Sequence, residues 1–162
     1  QWIEPGLPGA GNILVFNNGM GRPDGNYSTV DEIVAPVDAN GDYELTAESA
    51  YGPADPSWLY KAPHPTDFYS RNISGAQRLA GGNTLICSGA NGRLFEVTEG
   101  GEIVWEYINP VTQMGPLTQG QSPAPNPGSA NPVFRAYRYA SDYAGLAGRD
   151  LTPADYIEKP VE

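Results

Sequence analysis

Basic residues are scarce in this chain: 9 Lys and Arg stand against 19 Asp and Glu, for a net charge of −10 at pH 7. So acidic a surface repels a phosphate backbone and disfavours DNA or RNA as a partner, and it makes any well-placed arginine conspicuous as an anion contact. Cysteine occurs once, at Cys87, which excludes an internal disulfide; within an apolar run it reads as a small buried hydrophobe. Histidine also occurs once, as His64 between Pro63 and Pro65, where an exposed loop position is expected. No apolar run approaches the roughly 20 residues that a membrane-spanning helix needs. There is no phosphate-cradling glycine loop, zinc-ligand spacing or Ser-His-Asp order. The chain begins at Gln1 rather than Met and shows no signal peptide, so a processed or incomplete chain is expected.

What is abundant is punctuation. Twenty Gly and 16 Pro occur beside 40% hydrophobic residues, a mixture that points to many short strands joined by turns rather than to long helices. Hints of helix are confined to 49–51 and the segment from 141, both broken by Gly or Pro. The strands recur in a pattern. Gly11-Asn12-Ile13-Leu14-Val15-Phe16 aligns with Gly82-Asn83-Thr84-Leu85-Ile86-Cys87, and in the same register Gly21-Arg22 falls on Gly92-Arg93. After an insertion in the first copy, "TVDEIV" meets "LFEVT", placing Glu32 on Glu96 and Ile33 on Val97. A turn follows in both, at Asn40-Gly41 and at Gly100-Gly101, and each copy closes on Trp-x-Tyr-x-x-Pro, from Trp58 and from Trp105. Self-similarity of this kind is the signature of stacked repeats.

The strands expected are 12–16, 30–34, 43–45 and 58–60 in the first copy, and 76–79, 84–87, 93–97 and 103–107 in the second. The fold class is therefore all-β, with β-propeller blades of four-stranded antiparallel sheets. A blade is a small sheet with two faces to cover, so two of them cannot close a ring alone; other blades or another chain are expected to cover the open face. A small β-sandwich is the competing architecture. The chain divides into a blade over 1–66, a blade over 67–112, a Pro- and Gly-rich loop over 113–132, and a closing segment over 133–162, in which 133–139 could form a strand that covers a blade.

Smaller motifs add little chemistry. Asp38-Ala39-Asn40-Gly41-Asp42 resembles the opening of a calcium loop but lacks the distal bidentate Glu, and reads as a turn; no metal site is expected. Asn26-Tyr27-Ser28 and Asn72-Ile73-Ser74 fit the glycosylation sequon.

The stretches "GNILVFNNGMGR" and "ISGAQRLAGGNTLICSGANGRLFEVTEGGEIVWEYINP" resemble the bacterial arylsulfotransferase family, over roughly residues 2–110. The resemblance implies a six-bladed, secreted or periplasmic β-propeller. It further implies a histidine that carries a sulfuryl group from an aryl sulfate to a phenol, here lying outside the chain, without a cofactor. A neutral imidazole is a competent nucleophile, and guanidinium and amide donors suit the sulfate oxygens. By the same resemblance Arg22 and Asn18 would bind sulfate, with Asn17 standing where the family has Asp, while Arg93 would be structural. The alternative is a propeller that keeps the scaffold without the chemistry and serves as a binding or assembly module.

Overall fold

The computed structural model describes residues 1–43, 45, 47–123 and 131–161. Alternating apolar residues build β1 (Ile13–Asn17), β2 (Thr29–Ile33) and β3 (Trp58–Tyr60) into one antiparallel sheet in chain order. A second antiparallel sheet takes β4 (Gly75–Arg78), β5 (Thr84–Ser88), β6 (Arg93–Val97) and β7 (Ile103–Ile108), also in chain order. A short hairpin of β8 (Val111–Thr112) and β9 (Gly115–Pro116) follows. The chain is thus all-β, and these seven longer strands fall within one residue of the bounds the sequence suggests.

The structure departs from the expected strands in places. Among the described residues the first sheet has three strands, and at 43–45 Tyr43 bridges to Val37 while Glu44 lies outside the described residues. The bridge follows from the Asp38 carboxylate, whose Oδ1 accepts the backbone N–H groups of Asn40 (2.8 Å) and Asp42 (2.9 Å) and folds the segment back on itself. Residues 133–139 run extended along the second sheet but join no ladder. Within the 113–132 loop, β9 forms half a hairpin, while 124–130 lie outside the described residues. Helix is limited to three-residue 3-10 turns, among them Ala144–Leu146.

Residues 1–3 line the free edge of β1. Leu14 N–H donates to Gln1 O and Ile3 N–H to Asn12 O, each at 2.8 Å. Beside β5 the same steps are taken by Gln77, opposite Leu85, and by Leu79 N–H, which donates to Asn83 O at 2.9 Å. The registers agree further along. Leu14 lies opposite Glu32, itself opposite Trp58; Leu85 lies opposite Glu96, itself opposite Trp105.

Because side chains alternate across a strand, these registers put Leu14, Phe16, Val30, Glu32, Trp58 and Tyr60 on one face of the first sheet. That face packs on Ile86, Phe95 and Val97 of the second. Phe68, from the connection between the sheets, fills the seam, with ring centroids 5.4 Å from Phe16, 5.5 Å from Tyr60 and 5.4 Å from Phe95. Edge-on contacts of this kind add to the burial of the rings themselves.

A charge sits in this apolar seam. The Glu32 carboxylate accepts from Asn12 Nδ2 at 2.6 Å and pairs with Arg78 of β4, which is only 4% exposed. The Arg78 guanidinium lies 5.0 Å from the Trp58 ring and donates to Gly82 O at 3.1 Å. The second sheet carries the same set on its far side: Asn83 Nδ2 donates to Glu96 at 2.8 Å, Arg138 pairs with Glu96, and the Arg138 guanidinium lies 4.5 Å from Trp105. Truncating one partner of a buried pair strands the other, whereas an exposed pair is worth little. Arg78→Ala is therefore expected to cost about 3–5 kcal/mol in chemical denaturation. Arg138→Ala, whose side chain is 39% exposed beside a Glu96 as buried as Glu32, is expected to cost less, about 1–2 kcal/mol. Equal costs at the two positions would contradict the difference in burial.

Candidate functional site

The face of the first sheet turned away from the seam is spanned by a groove of about 230 Å³ whose walls include Asn17, Arg22, Asp31 and the loop carrying Pro53 and Pro56. Arg22 reaches it from the long connection between β1 and β2. Gly19 makes the turn possible: its φ is +66°, and a Cβ there would stand 1.8 Å from Tyr27 O. Asn17 Oδ1 accepts Gly19 N–H at 3.0 Å, Asn26 Oδ1 accepts Gly21 N–H at 2.7 Å, and the Arg22 guanidinium stacks 4.5 Å from the Tyr27 ring.

Arg22 is already engaged. Its Nε donates to Tyr27 O and its Nη2 to Thr29 Oγ1, each at 3.1 Å, and Thr29 Oγ1 in turn donates to Asp31 Oδ2 at 3.3 Å. Burial pushes the Asp31 carboxyl above its ordinary range, against the opposing pull of Thr29 and of the Arg22 charge. Arg22 and Asp31 thus lie side by side in the groove, linked through Thr29. A guanidinium set beside a carboxyl group suits a hydroxyl or an amide better than the negative charge of an aryl sulfate.

Of the three anion-binding candidates, Asn17 and Arg22 meet in this groove and Asn18 does not. Asn18 Nδ2 donates to Ser70 O (2.6 Å) and Ser74 Oγ (3.0 Å), which ties the end of β1 to the approach to β4. Around it, Ser70 N–H donates to Ser28 Oγ at 2.9 Å and Ala90 N–H to Ser70 Oγ at 2.9 Å, so the seryl groups join loops from both sheets. His64 is exposed and precedes a short 3-10 turn, Pro65–Asp67, away from the groove walls. Arg93 pairs with Glu106 across β6 and β7 and lies over Phe95, a structural placement. Among the described residues, no group of three or more His, Cys, Asp and Glu is arranged to hold a metal, and no helix is long and apolar enough to cross a membrane.

Sequence reasoning missed Arg78 and Arg138, although a signal was present: Ala76-Gln77-Arg78-Leu79-Ala80 recurs as Ala136-Tyr137-Arg138-Tyr139-Ala140. The motif Ala-x-Arg-x-Ala marks the two arginines that reach back to Glu32 and Glu96.

Comparison with known proteins yields no matching family model, no matching curated protein and no matching solved structure.

Cys87 is 1% exposed, with Sγ 3.7 Å from Val133 O, and burial pushes its thiol up to about 11. Relative to an ordinary thiol near 8.5, the thiolate fraction at pH 8 falls by about two orders of magnitude. Alkylation of the native chain by iodoacetamide at pH 8 is expected to be at least about 100-fold slower than in denaturant. Labelling at comparable rates in both would show that the strand is not sealed.

Proposed function

We propose that the chain is a segment of a β-propeller scaffold, two neighbouring blades, and that it acts as a binding or assembly module rather than as a catalyst. The observation that carries this reading is the recurrence of Asn, Glu, Arg and Trp in one register on both sheets, with the Arg delivered each time by the segment that follows. Such a device joins successive sheets face to face, as blades stack around an axis. Chemistry has less support. Sulfuryl transfer needs a rigidly held nucleophile, and His64 stands exposed on a connection while Arg22 is shared with Asp31.

The arylsulfotransferase reading keeps one supporting observation, that Arg22 and Asn17 line the same open groove. The two readings separate in an assay of 4-nitrophenyl sulfate with phenol as acceptor. The scaffold reading expects no release of 4-nitrophenolate above a protein-free blank. Turnover that falls more than tenfold in both Arg22→Ala and His64→Ala would overturn it. Binding gives a further check, since removing the carboxylate next to Arg22 lifts a like-charge penalty on an anion of about 1 kcal/mol. Asp31→Asn is therefore expected to tighten 4-nitrophenyl sulfate binding about fivefold by calorimetry, and unchanged affinity would place anions elsewhere.

A further inference from the structure

The second sheet repeats, on its far side, the face that the first sheet buries. Leu94, Trp105 and Tyr107 occupy the registers of Val30, Trp58 and Tyr60. In the first sheet Val30 and Tyr60 are 0% and 3% exposed; in the second Leu94 and Tyr107 are only half-buried and Trp105 is 38% exposed. The difference is what lies on top. The first face is covered by a four-stranded sheet; among the described residues the second meets segment 131–139, with Glu158 near Tyr107, and no sheet.

That segment is fastened as an inner strand would be. Val133 N–H donates to Gly89 O at 2.9 Å, and the Gln77 side chain holds Arg138 from both sides, accepting its N–H at 2.7 Å and donating to its carbonyl at 3.0 Å. Asn131 exchanges hydrogen bonds with Asn109 at 2.8 and 3.1 Å. Gly92, at φ +59°, lets the segment approach: a Cβ there would stand 2.2 Å from Asn131 O. Arg138 completes the Glu96 and Trp105 set as Arg78 completes that of Glu32 and Trp58, within the shared Ala-x-Arg-x-Ala motif.

We infer that residues 133–139 are the innermost strand of a third sheet, and that Leu94, Trp105 and Tyr107 form the surface on which its other strands dock. The occupant is a three-stranded antiparallel sheet without an innermost strand of its own, with an apolar inner face like that of Ile86, Phe95 and Val97. It needs no arginine, because Arg138 already answers Glu96. A second copy of this chain does not fit, because its own residues 1–3 hold, beside β1, the position that 137–139 take here. The inference rests on the propeller reading, whose stacking of the first two sheets the Arg78→Ala denaturation experiment tests separately.

The probe is a synthetic peptide of residues 84–108, which carries β5, β6 and β7 without β4, titrated into the 162-residue chain while amide exchange is followed. The expected result is saturable protection, at least about tenfold, of the 135–139 amides, lost in Tyr107→Asp while the exchange of β1 and β2 stays unchanged. Full saturation of the titration range without protection at 135–139 would overturn the proposal. A dimer of the chain alone that Tyr107→Asp dissociates would overturn it as well, by assigning the face to a second copy.

Discussion

A carboxylate buried between two sheets cannot remain unpaired, and Glu32 sets the terms on which these sheets meet. Its position opposite Leu14 and Trp58 puts it on the apolar face of the first sheet, within reach of Asn12 on the turn that precedes β1. The remaining partner must come from the other sheet, and Arg78 arrives only when β4 lies alongside β1 with its last residue over Trp58. A neutral seam of Leu, Val and Phe could slide or rotate at small cost; a paired charge within it permits one arrangement. Phe68 and Phe95 then pack a geometry that the ion pair has already chosen.

The functional reading follows from where the few cations are spent. With 9 Lys and Arg in the chain, Arg78, Arg93 and Arg138 are committed to carboxylates of the sheets, and Arg22 is shared between Tyr27, Thr29 and a neighbouring Asp31. A catalytic anion site needs a cation whose charge is not already answered, and a nucleophile held against it. Instead, Arg78 joins sheet to sheet, Arg93 joins neighbouring strands, Arg138 ties segment 133–139 to the second sheet, and the groove on the first sheet sets Arg22 beside Asp31.

Much of the architecture was legible because it is local. Alternation located the strands, and the alignment of Glu32 with Glu96 and Trp58 with Trp105 anticipated registers that the ladders reproduce. The pairing of residues 1–3 along the edge of β1 went unread because so short a run shows no period. Between Val37 and Tyr43 a side chain competes with the ladder: Asp38 captures the backbone donors of Asn40 and Asp42, and Tyr43 bridges back to Val37. Asn18 was paired with Arg22 by the family resemblance, yet it follows the end of β1 and its amide is taken by Ser70 and Ser74. Arg78 and Arg138 escaped notice for the opposite reason, since their partners lie 46 and 42 residues away.

The central claim is that Glu32 and Arg78 hold the seam as a unit, and a double-mutant cycle on the pair tests it directly. Stability is measured by denaturant unfolding for Glu32→Ala, Arg78→Ala and the double variant, each against the unmodified chain. The double variant is expected to be no less stable than either single one, so that the coupling reaches at least about 3 kcal/mol. Additive losses, with coupling below about 0.5 kcal/mol, would show that the two residues act independently and that something other than this pair sets the arrangement of the sheets.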